Sequence, residues 1–453
     1  MKLTLSAITQ AVNGQLIGDD ATINGVSIDT RTLNVGNLYI AIKGKQFDGH
    51  DFIGQAQASG ASALLVAQAI ECALPQIIVD DTHLALAELA GYWRRQLAVK
   101  VAGVTGSNGK TTVKEMIAAI FATQGATLAT QGNLNNDIGV PLTLLKLTPE
   151  HRYAVIEMGA NHPGEIAYSS RYAQADVSVI NNVGSAHIEG FGSIEGVAKT
   201  KGEIAESLAE DGVAVLNRDD DFYTFWRQLV GSRRSVSFGF SAEADVRAEA
   251  IDSRLEDGRF VTDFVLTVST ERTNIALALA GEHNVKNALA AAAVALQFGI
   301  ELNDIKRGLE NVKPVTGRMQ PLQGRKGNIV IDDTYNANPS SLKAALESLN
   351  GIGNAWLVLG AFGELGPEST EMHRDMGQLI KNQGITRLFA VGADAKYTVD
   401  MFGNGGEFFE TQEQLIQALQ QALTGRETLL VKGSRSQKME NVVAALVDNF
   451  RAA

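Results

Sequence analysis

The most informative segment of the sequence is VTGSNGKTTVKEM, residues 104–116. It continues the apolar run VAGV, turns through glycine, serine and asparagine, and then enters a pattern typical of a helix. Backbone N–H groups of such a turn can bind phosphate, because glycine permits close approach and a helix N-terminus favours anions. The sequence therefore predicts a phosphate-binding loop, which consists of Gly106, Ser107, Asn108, Gly109, Lys110, Thr111 and Thr112.

Lys110 and Thr111 are the chemically informative residues of this loop. A lysine here contacts the β- and γ-phosphates of a nucleotide, and the following threonine can bind Mg²⁺. Counted from Gly103 the pattern is G-x₅-G-K-T, one residue longer than the usual form, whereas from Gly106 it is G-x-x-G-K-T. A GKT triplet alone is weak evidence. Its position between a strand and a helix favours nucleotide binding over an ordinary glycine turn.

Apolar runs divide the 453 residues into three α/β units. The strands YAVIEM, VSVINNV and VAVLN are typical of a parallel sheet covered on both faces. The alternating segment FVTDFVLTVSTERTNIALAL predicts an antiparallel hairpin, and an Ala-rich helix follows it and ends at Gly299. We predict a small N-terminal α/β domain at 1–97, a central P-loop mononucleotide-binding parallel-sheet domain at 98–312, and a C-terminal Rossmann-like domain at 313–453.

The composition excludes several other classes of protein. Apolar residues make up 45% and charged residues 20%, as in globular proteins. The net charge of −12 disfavours nucleic-acid binding. No apolar run approaches the ~20 residues that span a bilayer, and the N-terminus lacks a signal-peptide core, so we expect a cytoplasmic protein without membrane insertion. The single Cys72 excludes an intramolecular disulfide and a cysteine-rich zinc site.

Further candidate residues follow the loop. Glu157 ends an apolar strand, where P-loop proteins hold Mg²⁺, although Asp is commoner there. His187 follows another strand end, and the pattern alone leaves open whether it is a ligand. Lys199 and Lys201 lie in the helical segment KTKGEI, where two lysines are also typical of a solvated face.

Further motifs follow the loop in a characteristic order. These are TGSNGKTT, Glu157, His187, KTKGEI, GEHNVKNALAA, Arg318 and DDTYNANPSS. This order resembles the Mur ligases, which are ATP-dependent amide-forming enzymes of peptidoglycan precursor synthesis, and the resemblance covers essentially the whole chain. The segments GNLNNDIGVPLTLL, EMGANHPGEI and VKGSRSQKME resemble the member that joins D-alanyl-D-alanine to UDP-N-acetylmuramoyl-tripeptide. An Asp-Asn-Pro-Arg motif, usual in members that add the third residue, does not occur.

The resemblance implies chemistry through an acyl phosphate with ATP and two Mg²⁺ ions. One ion would be held by Thr111 and Glu157. The other would be held by His187 and a carbamylated lysine, for which we favour Lys201 over Lys199 because of its place in the KGEI helix. Carbamylation requires a neutral amine, and burial lowers a lysine pKa.

The resemblance also implies where the substrates bind. His283, Asn284 and Asn287 would lie near the nucleotide, although these asparagines could equally be polar caps of the Ala-rich helix. Arg318 would reach the γ-phosphate and Asp333 the ribose. The N-terminal domain would supply the uridine site, the middle domain the contacts to the sugar or peptide, and the third domain those to the peptide or dipeptide end. The residues, all in loops where they could also serve turns, are Ser27, Thr30, Arg31, Lys43 and Gly44 for the uridine, Asn133, Asn135 and Asn136 for the sugar or peptide, and Asn336, Asn338 and Arg435 for the peptide or dipeptide end. We expect a monomer.

Two other enzyme classes share parts of this pattern. A folylpolyglutamate synthase-like ligase shares the loop and the acyl-phosphate chemistry, but it lacks the N-terminal uridine domain. A P-loop GTPase would need a guanine motif, and VAVLNRDDD has Arg218 in place of its lysine. One departure from the Mur pattern is GAFGELG, in which Ala361 replaces the usual acid while Glu364 remains.

Overall fold

The structure is a computed structural model that describes residues 1–44, 46–184, 188–448 and 450. Within these residues the chain builds a five-stranded, a nine-stranded and a six-stranded sheet, together with one two-stranded pair. Helices separate most of the parallel strands, so the fold is α/β with three domain-like regions, as predicted. The exact domain boundaries stay a prediction.

The first sheet is mostly parallel and has the order β2-β7-β6-β5-β4, with β2 antiparallel to β7. A separate antiparallel pair joins β1 to β3. The elements are β1 (Leu3–Thr4), α1 (Leu5–Ala11), β2 (Gln15–Ile17), β3 (Thr22–Ile23), β4 (Gly25–Ser27), β5 (Asn37–Ile40), a 3-10 helix (Gly49–Phe52), α2 (Ile53–Ala58), β6 (Ala63–Val66), β7 (Gln76–Ile78) and α3 (Thr82–Arg95).

The central sheet has the order β16-β15-β14-β13-β12-β11-β8-β10-β9. It is parallel from β9 to β14, and β14, β15 and β16 are antiparallel, so the predicted hairpin is confirmed. Its elements are β8 (Lys100–Thr105), α4 (Lys110–Ala122), β9 (Thr127–Ala129), α5 (Gly139–Leu144), β10 (Tyr153–Glu157), α6 (Glu165–Ala173), β11 (Val177–Ile180), α7 (Ile188–Phe191), α8 (Ile194–Glu206), β12 (Val213–Asn217), α9 (Tyr223–Val230), β13 (Arg234–Gly239), β14 (Val246–Glu256), β15 (Arg259–Val268), β16 (Glu271–Leu277), α10 (Gly281–Gln297) and α11 (Leu302–Glu310).

The third sheet has the order β17-β18-β22-β19-β20-β21, and only the edge strand β17 is antiparallel to its neighbour. Its elements are β17 (Gln320–Gln323), β18 (Ile329–Asp333), α12 (Pro339–Glu347), β19 (Ala355–Gly360), a 3-10 helix (Gly366–Glu368), α13 (Ser369–Asn382), β20 (Arg387–Val391), α14 (Ala395–Phe402), β21 (Gly406–Phe409), α15 (Gln412–Ala422), β22 (Thr428–Lys432), a 3-10 helix (Arg435–Gln437) and α16 (Glu440–Leu446).

The apolar cores show which sheets share a hydrophobic interior. One core runs from the N-terminal sheet into one face of the central sheet, and Trp93 of α3 donates its indole N–H to the Leu147 carbonyl at 2.9 Å. The third sheet has its own core, which Phe260 of the central hairpin enters. The strands β8, β10, β11 and β12 are buried almost throughout, as parallel strands covered on both faces should be.

The predicted end of the Ala-rich helix is confirmed. α10 ends at Gln297, and Gly299 follows with a φ of +74°, a conformation that glycine adopts readily. Within the described residues, no helix combines the length and apolar character needed to cross a bilayer.

Candidate active site

The phosphate loop connects β8 to α4 at the middle of the central sheet. Gly109 precedes the helix with a φ of +78°, and a Cβ there would lie 2.5 Å from Oδ1 of Asn287, so the close approach requires glycine. Lys110 folds back over the loop and donates from Nζ to the Gly106 carbonyl at 2.7 Å and to the Ser107 carbonyl at 3.2 Å. Burial lowers the pKa of Lys110, and the Glu157 carboxylate opposes this.

An amide network, which sequence analysis missed, holds the loop from the end of β11. Asn181 donates from Nδ2 to the Asn108 carbonyl at 2.9 Å and to Asn287 Oδ1 at 2.8 Å. Asn182 accepts the Asn108 N–H at 2.8 Å. The pair follows a parallel strand beside β8, and carboxyl ends of parallel strands meet at one edge of the sheet. The same argument that singled out Glu157 could therefore have found these asparagines.

Glu157 ends β10 beside the loop and is only 2% exposed. Its Oε1 accepts a hydrogen bond from Asn135 Nδ2 at 2.8 Å. Its Oε2 is buried and has no hydrogen-bond partner. A buried carboxylate oxygen without a partner is costly, which fits an oxygen that binds a cation.

The loop and Glu157 face a cavity of about 790 Å³ between the central and third sheets. Arg318 enters it from the turn just before β17, stacks on Tyr335 at 4.3 Å and donates to Thr111 Oγ1 at 3.0 Å. Most of the predicted site residues line this cavity: Ser107, Asn108, Gly109, Lys110, Thr111, Thr112, Asn133, Asn135, Asn136, Glu157, His283, Asn284, Asn287, Arg318, Asp333, Asn336, Asn338 and Arg435. Gly106 and Lys201 are not among its lining residues.

The predicted nucleotide residues lie at the start of α10. Asn284 and Asn287 are buried, and Asn287 donates from Nδ2 to Asn284 Oδ1 at 3.0 Å. Asn284 lies 3.1 Å from His283 Nε2, and it also donates to the Ala280 carbonyl at 2.8 Å. Burial lowers the pKa of His283 to about 4, so this imidazole is neutral at pH 7.

Asp333 forms an ion pair that the sequence did not suggest. Lys432, only 2% exposed, donates from Nζ to Asp333 Oδ2 at 2.6 Å and to the Asn336 carbonyl at 3.1 Å. The Met319 N–H donates to Asp333 Oδ1 at 3.2 Å. The two charged residues end neighbouring parallel strands, β18 and β22, in direct register.

The lysines of α8 differ in burial. Lys201 is 2% exposed, whereas Lys199 is exposed. Burial and the positive charge of Lys110 lower the pKa of Lys201 to about 7. Lys201 also lies 5.6 Å from the Phe191 ring. The third predicted residue of this group, His187, lies outside the described residues.

The asparagines of the GNLNND segment have distinct contacts. Asn135 holds Glu157, as described, and its carbonyl accepts the Gly159 N–H at 2.8 Å. Asn136 Oδ1 accepts the Gly139 N–H at 2.8 Å, where α5 begins. Asn133 is exposed in the cavity wall.

In the third domain-like region, Asn338 caps α12 by accepting the Ser341 N–H at 2.8 Å. Its Nδ2 also donates to Asn108 Oδ1 at 2.9 Å, and Asn108 donates to Ser340 Oγ at 2.9 Å. The phosphate loop therefore contacts the third region directly. Glu364 lines the same cavity and has a φ of +60°, in the loop that carries Ala361.

Two more residues of this region line the cavity. Asn336 Oδ1 accepts the Ala337 N–H at 2.9 Å. Arg435 pairs with Glu440 at 3.1 Å. Both residues line the cavity beside Lys432.

The residues predicted for the uridine lie in the N-terminal region and not in this cavity. Ser27 ends β4, and Thr30 and Arg31 follow it, while Lys43 and Gly44 follow the neighbouring parallel strand β5. Both groups therefore lie beyond the same edge of the sheet.

Two side chains of the first group make local contacts. Ser27 Oγ donates to the Asp29 carbonyl at 2.9 Å. Arg31 is largely exposed and pairs with Asp29 at 2.6 Å, and its hydrogen bonds lower the pKa of Asp29 to about 2. The turn interpretation of the sequence thus applies to part of this group.

Comparison with known proteins decides the family. Models described as Mur ligase family catalytic domain, Mur ligase middle domain, and Mur ligase glutamate ligase domain match residues 22–94, 104–295 and 317–435. The UDP-N-acetylmuramoyl-tripeptide–D-alanyl-D-alanine ligase of Escherichia coli is 45% identical, and the match covers 99% of each chain. The chain belongs to the Mur ligase family.

Solved structures agree with this assignment. A crystal structure of MurF from Acinetobacter baumannii is similar to this Mur ligase with a TM-score of 0.92 and 37% identity, covering 98% of each chain. The MurF ligase of Thermotoga maritima, solved in complex with ADP, has a TM-score of 0.83 and 28% identity over 93% of this chain and 96% of that one. This Mur ligase is therefore an ATP-dependent ligase. The roles of its individual site residues stay predictions.

Proposed function

We propose that this Mur ligase joins D-alanyl-D-alanine to UDP-N-acetylmuramoyl-tripeptide, giving the pentapeptide precursor of peptidoglycan, ADP and phosphate. The observation that carries the proposal is the meeting of the phosphate loop, Glu157 and Arg318 in one cavity between two sheets. Full-length similarity to ligases named for these two substrates supports the substrate assignment.

The reaction begins when the tripeptide carboxylate attacks the γ-phosphorus of ATP, which breaks the bond to the β-phosphate oxygen and releases ADP. The amine of D-alanyl-D-alanine then attacks the acyl phosphate carbon, and phosphate leaves as the amide forms. The first step brings two anions together, and each unit-charge pair at about 4 Å costs about 4 kcal/mol at an effective dielectric constant near 20. Lys110 and Arg318 offset this repulsion because both cationic side chains face the cavity.

A first Mg²⁺ would be held by Thr111 and Glu157. The buried Glu157 Oε2 without a hydrogen-bond partner fits such an ion. The described residues contain no cluster of three or more His, Cys, Asp or Glu side chains that could hold a metal. Mg²⁺ commonly binds through one or two carboxylates together with substrate phosphates and water. When bound, Mg²⁺ supplies positive charge that stabilises the transferring phosphoryl group.

A second Mg²⁺ would be held by His187 and by Lys201 after carbamylation. The lowered pKa and burial of Lys201 support this choice over the exposed Lys199, because only a neutral amine reacts with CO₂. Carbamylation converts the amine to an anion that suits a hard cation.

The fold supports a proposal for where the two remaining substrate groups bind. The uridine end would bind beyond β4 and β5, at Ser27, Thr30, Arg31, Lys43 and Gly44. The dipeptide would bind on the third region, near Asn336, Asn338 and Arg435, while His283, Asn284, Asn287 and Asp333 would contact ATP. A cytoplasmic monomer remains our expectation.

Phosphate release from ATP tests the proposal. We expect release to require UDP-N-acetylmuramoyl-tripeptide and D-alanyl-D-alanine together, with the pentapeptide product detected by mass spectrometry. Equal release without either substrate, or release with a folate substrate instead, would contradict it.

A further inference from the structure

Lys114 is a buried lysine whose position the reaction itself does not explain. It lies in α4, one helical turn after Lys110, and is 1% exposed. Its Nζ donates to the Thr130 carbonyl at 2.6 Å and pairs with Glu115 Oε1 at 2.9 Å. Glu115 is 43% exposed, so the pair reaches from the interior to the surface.

Burying an ammonium group costs free energy unless it forms strong hydrogen bonds. The neighbouring core positions of α4, Val113, Met116 and Ile117, fill the interior with apolar side chains. Packing alone would therefore favour another apolar residue at position 114. The contact of its amine with the Thr130 carbonyl indicates a more specific role.

Thr130 connects Lys114 to Glu157. Its N–H donates to the Val155 carbonyl at 3.0 Å, and its Oγ1 accepts the Glu157 N–H at 3.0 Å. Thr130 is itself 1% exposed. The segment after Thr130 leads to Asn135, which donates to Glu157 Oε1 at 2.8 Å. Lys114 thus fixes the start of a segment that contacts the backbone and the side chain of Glu157.

We propose that Lys114 is a positioning residue that orients Glu157 for Mg²⁺ through Thr130. Lys114 does not line the cavity. It anchors the Thr130 backbone, so that the Thr130 hydroxyl holds the backbone N–H of Glu157 while Asn135 holds its carboxylate. The inference rests on the proposed Mg²⁺ role of Glu157. Replacing a residue that holds a metal ligand, but does not itself bind the metal, typically changes metal affinity 10–100-fold.

The test is titration calorimetry of the full chain with the non-hydrolysable ATP analogue AMPPNP, with and without Mg²⁺. We expect K114M to weaken AMPPNP binding by about tenfold when Mg²⁺ is present and by less than about twofold when it is absent. T130V should behave in the same way, and T130S should restore the wild-type affinity because it keeps the hydroxyl. T143V is the matched control, since the Thr143 hydroxyl is also buried but donates to the Gly139 carbonyl at 2.8 Å, with no hydrogen bond to Glu157.

The double variant K114M/T130V should lose no more Mg²⁺-dependent affinity than the single variant with the larger loss, because both changes break the same connection to Glu157. Equal loss with and without Mg²⁺ in K114M and T130V, or no loss in either, would overturn the inference. If K114M does not fold, T130V and T130S provide the test. Loss of Mg²⁺-dependent affinity in T130V but not in T130S supports the inference, and equal affinities in the two variants contradict it. If the wild-type protein binds AMPPNP equally well with and without Mg²⁺, both the metal assignment of Glu157 and this inference are wrong.

Discussion

Lys201 offers a quantitative test of the proposed carbamate. Burial and the nearby Lys110 lower its pKa to about 7. At pH 7 about half of these amines are neutral, compared with about one in 3,000 for a lysine of ordinary pKa near 10.5. Because CO₂ reacts only with the neutral amine, carbamylation at Lys201 is favoured about a thousandfold over an exposed lysine.

The measurement is carbon NMR of the full chain with ¹³C-labelled bicarbonate at a fixed concentration of dissolved CO₂. The neutral fraction of Lys201 rises from about 9% at pH 6 to about 91% at pH 8, so the carbamate signal should rise about tenfold or more. K201A should lose the signal, and K199A should keep it because Lys199 is exposed. A signal that survives in K201A, or that is absent at pH 8, would refute the assignment.

The same pKa has a consequence for stability. Between pH 7 and pH 10.5 the folded chain binds fewer protons at Lys201 than the unfolded chain, so this residue makes the free energy of unfolding rise with pH. Without added CO₂, the rise from pH 7 to pH 9 is about 2 kcal/mol. Urea unfolding of wild type and K201M should therefore differ in pH dependence by this amount. Parallel pH profiles for the two proteins would show that the buried amine is not neutralised on folding.

Three further changes test other parts of the molecule. K110A should lower turnover at least about 10²-fold in the phosphate-release assay, because a donor to the transferring phosphoryl group is lost, and near-normal turnover would contradict that role. G109A should weaken AMPPNP binding at least about tenfold, since a Cβ would lie 2.5 Å from an amide oxygen. G299A is its control, because it has a similar φ of +74° but no atom within 4 Å of the added Cβ, and it should cost stability of about 1 kcal/mol without weakening binding. His83 pairs with Asp137 at 3.0 Å, which raises the pKa of His83, so its stabilisation is complete below the ordinary value of 6.5 and is lost as pH rises through the raised pKa. The melting temperature of H83Q should accordingly fall below that of wild type more at pH 6 than at pH 9, and an equal difference at both would count against a charged His83.

The sequence was most informative where a local pattern determines local structure. The apolar run before Gly106, the loop and the helical pattern after it predicted β8, the turn and α4 because each depends on neighbours in the chain. The edge strands β17 and β21 were missed, since they are short and only partly buried.

Contacts between distant segments were not predictable in the same way. Lys432 meets Asp333 only because β18 and β22 are neighbours in the sheet, 99 residues apart in the chain. Asn181 and Asn182 can hold the phosphate loop only because β11, which precedes them, pairs with β8 in the sheet. Lys114 carries no motif at all, and only its burial and its bond to Thr130 distinguish it from a surface lysine.

Asn108 couples the phosphate loop to the position of the third region. Its side chain bonds to Ser340 and Asn338, while its backbone is held by Asn181 and Asn182. A ligand that rigidifies the loop therefore also favours docking of the third region against it. Docking in turn makes the binding free energy of that ligand more favourable by the same amount. Nucleotide affinity and docking of the third region are therefore linked by one coupling free energy, which is the same whichever of the two events comes first.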